Sequence, residues 1–178
     1  NGAVKQVTII PLPLSGKLVE NSLKMSTTKW GGAMSTFEKG YGYDGQTIKE
    51  VFEFPTLGIS MTDAVERLKI KNPDYIKMDV DGIEHFILKE GKKTLDKVQS
   101  VLVEINDDFV EQAEQAKNSL ESAGLHLSEK RQGYLKQILG AEGAEGAAPA
   151  LGFVGGGGMG GYESAPAEIA GGFEAGFC

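Results

Sequence analysis

Asp79, Asp81 and Glu84 sit close together in residues 76–85, IKMDVDGIEH, and a second apolar run at 101–107, VLVEIND, carries Glu104 and Asn106. Carboxylates gathered at the end of an apolar run could hold a substrate hydroxyl, and one of them could take its proton. A hydroxyl has a high pKa, so its proton must leave while the oxygen attacks an electrophile. Gly82 permits a tight turn among the three. The same carboxylates could instead cap a helix starting near Ile83, where negative charge is stabilising. A cation held by Asp79, Asp81 and Asn106 would need a loop whose spacing these residues do not match, and no metal is expected.

Strands must position these side chains. In residues 74–80, Ile76, Met78 and Val80 share one face and Lys77 and Asp79 the other. In residues 100–106, Val101, Val103 and Ile105 oppose Leu102, Glu104 and Asn106. A helical stretch between the runs predicts adjacent parallel strands with helices on both faces, where charge must be paired or used. Strands ~4.8 Å apart put Glu104 within reach of Lys77. The expectation is that these two pair beneath the site and leave Asp79, Asp81 and Glu84 at the strand mouth.

Elsewhere, Val7–Ile10 reads as a short strand stopped by Pro11 and Pro13, and a run at 47–54 as another ended by Pro55. The polar segment 15–47 is too long for a plain connection and predicts a substrate-side excursion with a short hairpin. Its Trp30 is either a packing anchor or a wall of the substrate pocket. Ser60 with Asp63 makes a capping box for a short helix. Helices are predicted at 83–90, after Gly91, and at 109–123, where Gly124 ends the last, and 125–128 reads as a final strand. His85 is expected at the surface or behind the site.

Residues 140–178 differ in kind: they hold 13 of the 25 glycines and show no periodic apolar face. They are expected to be a Gly/Ala-rich low-complexity tail outside the core, with 1–139 forming the domain. Gly155, Gly157 and Gly160 satisfy G-x-G-x-x-G, a weak signal in such a segment. The net charge of −7 comes largely from this tail, which has five acidic and no basic residues. The body has no strongly basic face, so nucleic acid is not an expected partner. No apolar run reaches the ~18 residues of a membrane helix. Cys178 is the single cysteine, which fits a reducing compartment, and a cytoplasmic location is expected by default. Nothing in the sequence fixes an oligomeric state.

The motif I-K-M-D-V-D-G-I-E at 76–84, followed one helix later by V-E at 103–104, resembles the signature of the FkbM family of S-adenosylmethionine-dependent methyltransferases. Segments 21–37 and 58–65 are similar to that family too, and the likeness covers about residues 1–133. The resemblance implies an α/β fold with a Rossmann-like class I methyltransferase sheet. It implies O-methylation of a hydroxyl on a small or glycosidic acceptor, with S-adenosyl-L-methionine as cofactor. Asp79, Asp81 and Glu84 would then be catalytic. Leu14, Ser15 and Asp79 would meet the cofactor, and Trp30 and Asn106 the acceptor. Family members open with a strand and a Gly-rich turn that cradle the cofactor, and neither appears before Val7. The expectation is therefore a sheet incomplete at its N-terminal side, binding S-adenosylmethionine weakly or not at all. The alternative is a non-catalytic binding module.

Overall fold

The computed structural model describes residues 7–30, 32, 34–131 and 150–155. Two sheets organise them. The first is antiparallel and contains β1 (Val19–Met25), β2 (Ser35–Phe37) and β3 (Phe52–Gly58), in the order β2-β1-β3. Its β1–β2 hairpin forms the excursion, and β3, which follows the excursion in the chain, pairs with β1. Here β3 runs through Pro55 instead of stopping at it, pairing Pro55 with Ser22. The strand lies at the sheet edge, where a residue without an N–H is tolerated. Val7–Ile10 forms no strand: Val7 and Ile9 are exposed and pair with no neighbour among the described residues.

The second sheet holds β4 (Tyr75–Met78), β5 (Ser100–Glu104), β6 (Leu125–Arg131) and β7 (Ala150–Gly155), in the order β4-β5-β7-β6. As predicted, β4 and β5 are adjacent and parallel, whereas β7 is antiparallel to both its neighbours. The sheet is thus mixed. Strand β7 falls inside the expected tail, yet Leu151 and Phe153 are buried in the core. Its alternation puts two apolar side chains inward, and Gly152 between them faces out.

Four helices join the strands: α1 (Met61–Arg67), α2 (Glu84–Glu90), α3 (Lys92–Leu95) and α4 (Val110–Ser122). The Ser60 cap forms as predicted: its Oγ accepts from Asp63 N at 3.0 Å and donates to Asp63 Oδ2 at 2.8 Å. Gly124, at φ +78°, closes α4. Ile87, Leu88, Leu95, Ala116 and Leu120 from the helices share one core with Met78, Val101, Val103, Ile105 and Phe153. The other face of the sheet carries Tyr75, Lys77, Asp79, Leu102 and Glu104. Tyr75 is 68% exposed and Leu102 41%. Among the described residues the helices therefore cover one face, not both. The charged side chains of β4 and β5 lie on the open one.

Candidate functional site

The ladder between β4 and β5 pairs Lys77 with Leu102 and Met78 with Val103. One step further, Asp79 stands opposite Glu104. Lys77 Nζ lies 3.2 Å from Asp79 Oδ2, its neighbour on the same face of the strand. The expected Lys77–Glu104 pair is therefore replaced by Lys77–Asp79, because the register sets Glu104 two residues beyond Lys77. Glu104 faces the Asp79 carboxyl instead, and a like charge beside it disfavours its ionised form. Burial, then the Asp79 carboxyl, push Glu104 up to about 7.

The turn after β4 is held from three sides. Asp81 adopts φ +55° and Gly82 φ +107°. A Cβ on Gly82 would lie 2.4 Å from the Gly42 carbonyl oxygen, so the excursion packs directly on the turn. The Asp81 carboxylate accepts the backbone N–H groups of Ser35 and Met34, which ties β2 to the same turn. Burial and the Asp79 charge raise its pKa, against those two hydrogen bonds. This left-handed non-glycine residue is kept in place by the small sheet.

Glu84 occupies the opening of α2 and is 2% exposed. Its Oε1 accepts Val80 N at 3.2 Å, and its Oε2 accepts Gln112 Nε2 at 2.6 Å. Gln112, itself buried on the inner face of α4, accepts Asn106 N at 3.1 Å through Oε1. Burial raises the Glu84 pKa, opposed by these donors. With both oxygens engaged beneath the mouth, Glu84 holds the turn together. Asn106 shapes the β5–α4 loop in a similar way, its Oδ1 accepting Asp108 N at 3.0 Å.

Aromatic rings cluster near Glu84. Tyr41 meets Phe109 edge to face at 5.6 Å, and Phe109 meets His85 at 5.8 Å. Burial, followed by the charges of Glu111, Glu84 and Glu38, raises the Tyr41 hydroxyl. His85 is not at the surface: it is 1% exposed, stacks on Phe86 at 4.0 Å, and its Nδ1 has no hydrogen-bond partner. Burial lowers its pKa. Trp30 is fully exposed, so it is not a buried packing anchor of the excursion. Among the described residues no three His, Cys, Asp or Glu side chains converge as a metal site requires.

Leu14 is bridged to Ile59 and Ser15 N donates to Ile59 O at 2.9 Å, while Ser15 lines a small cavity with Phe37, Ile83 and Phe86. Ser15 is buried beside Phe37 and Gly58, and its Oγ has no hydrogen-bond partner. The sequence pointed to Asp79 and Asp81 but missed Glu104, Tyr41 and Gln112 as members of the mouth. Gln112 left one signal, a polar residue between Phe109 and Ala116 at an apolar-periodic position.

Carboxyl groups at the C-terminal ends of adjacent parallel strands, beside a turn into a helix, stand where open α/β sheets bind their ligands. These features define a mixed-sheet α/β domain with an acidic strand mouth. The chain belongs to the FkbM methyltransferase family: the Methyltransferase FkbM domain matches residues 2–135 of the 178. Comparison with curated proteins and with solved structures gives no match. Members of this family use S-adenosylmethionine. Of the three residues expected to meet it, Ser15 offers a buried hydroxyl without a partner and Asp79 a half-exposed carboxylate, both suited to a polar ligand. Leu14 packs against the core.

Proposed function

We propose that the domain serves O-methylation, with Asp79 and Glu104 together accepting the proton of an acceptor hydroxyl. The observation that carries this reading is the pair of facing carboxyls, Asp79 and Glu104, at the ends of β4 and β5. Glu104, raised to about 7, can receive a hydroxyl hydrogen bond once ionised. A proton acceptor titrating near 7 is matched to work at that pH. S-Adenosylmethionine, when bound, supplies an electrophilic methyl group, and Asp79 and Ser15 are the residues here that would hold it. Asp81 and Glu84 fix the turn that aims Asp79. The Lys77 ammonium offsets part of the negative charge. A small or glycosidic acceptor suits a mouth lined by carboxylates and the Tyr41 and Phe109 rings, and a body without a basic face argues against nucleic acid. We place the reaction in the cytoplasm and the strands in a Rossmann-like class I sheet. No helix among the described residues is long and apolar enough to cross a membrane.

The test is transfer of labelled methyl from S-adenosylmethionine to hydroxylated acceptors, measured in the protein as its source expresses it. Transfer to oxygen is expected, falling by ~10²-fold or more in Glu104→Gln. Transfer confined to nitrogen, or full activity in both Glu104→Gln and Asp79→Asn, would overturn the reading. A non-catalytic binding module is the second reading, favoured by Tyr75 and Leu102 exposed on the face that bears the carboxyls. Acceptor binding without any transfer would support it.

A further inference from the structure

We infer that Gln112 is a positioning residue, whose side-chain amide brackets the ends of β4 and β5 and so sets the separation of the Asp79 and Glu104 carboxyls. The hydrogen-bonded ladder between these strands reaches Met78 and Val103 and stops one residue short of the pair. Beyond it, the strand ends are joined through one chain of contacts. Val80 N donates to Glu84 Oε1, Gln112 Nε2 donates to Glu84 Oε2, and Asn106 N donates to Gln112 Oε1. Val80 directly follows Asp79, and Asn106 lies two residues after Glu104. A displacement of either end therefore moves a carboxyl.

The chemistry of position 112 is narrow. It must donate to a carboxylate on one side and accept from a backbone N–H on the other, and a primary amide does both in one rigid plane. A carboxylate there would face Glu84 with like charge, and an apolar side chain would make neither bond. Gln112 is 1% exposed, so no bulk water stands in for a lost partner. The repulsion between two carboxylates falls as they separate, which makes the Glu104 titration a reporter of the bracket.

The inference rests on the carboxyl pair being the proton acceptor of the proposed reaction. Its test involves no methyl transfer, so the two can fail separately. Carboxyl carbons of Asp and Glu are labelled with carbon-13 in the full chain and titrated by NMR, with Glu104→Gln assigning the resonance. In Gln112→Met, Glu104 should titrate at least one pH unit below its wild-type value, with helix content unchanged by circular dichroism. The Val80 and Asn106 amides should exchange at least tenfold faster. Gln112→Met leaves the buried Glu84 without its donor and can fail to fold. Gln112→Asn keeps an amide that supplies Glu84 with a donor, but is a methylene too short to span both partners, and it should shift Glu104 in the same direction. Either variant, folded and titrating at Glu104 as the wild type does, overturns the inference.

Discussion

Glu84 and Glu104 stand within one cluster, and burial raises the pKa of both, yet their surroundings are opposite. Around Glu84 the neighbours are donors: three backbone N–H groups and the Gln112 amide converge on one carboxylate. Around Glu104 the nearest neighbour is another acceptor, Asp79, and the Lys77 ammonium acts mainly on that neighbour. Donors turn a carboxylate into a brace, whereas a second carboxylate turns it into a group that exchanges its proton near neutrality. The difference lies in what the surrounding chain offers, not in the side chain.

That contrast can be broken at the brace first. Gln112→Leu strands the Glu84 carboxylate and the Asn106 N–H in the interior and should cost about 3 kcal/mol, measured by urea unfolding at neutral pH. A loss below ~1 kcal/mol would mean the brace is not under load. Gly82→Ala comes next. It forces a side chain into a left-handed turn and against the Gly42 carbonyl, and should cost about 2 kcal/mol. A neutral result would show that the excursion does not press on the turn.

The third prediction concerns pH. A carboxyl with a raised folded pKa holds its proton longer in the folded state, so its stabilising contribution is full below the ordinary value and fades as pH rises toward about 7. The thermal midpoint should fall between pH 5 and pH 8. Glu104→Gln should flatten part of that slope and raise the midpoint at pH 8; Asp81 and Glu84 slope the same way, and buried His85, its pKa lowered, slopes the opposite way. An unchanged slope would refute the raised titration of Glu104. Smallest is Lys77→Met. The Lys77–Asp79 contact is exposed, so the loss should stay below ~1 kcal/mol. Removing the cation should nevertheless move the Glu104 titration upward, since Lys77 now lowers it.

Which face each residue of β4 and β5 takes was legible from alternation alone: Met78, Val101 and Val103 are inside and Lys77, Asp79 and Glu104 outside. Depth was not. Alternation has a period of two and says nothing of where a ladder begins, so the pairing of Tyr75 with Ser100 could shift Glu104 from Lys77 to Asp79 unseen. Glu84 read equally as a cap or a catalyst because its decisive donor, Gln112, comes from another helix. Strand β7 was hidden by composition. Leu151 and Phe153 alternate correctly, but six residues in a Gly-rich stretch are lost in an averaged property. Pro55 misled because its penalty depends on whether the strand is central or at the edge.

The position of β7 also dictates an order of events. Strand β6 makes no ladder with β5 and is joined to the sheet through β7, which comes later in the chain. A ribosome adding ~5–20 residues per second therefore releases β6 before the strand that gives it a place. Until residues 150–155 emerge, β5 keeps one unpaired edge and the core lacks Phe153. Nascent chains that stall before this point would display a sticky strand edge and call for chaperone protection. Six late residues thus close a sheet whose parallel strands, β4 and β5, come much earlier in the chain.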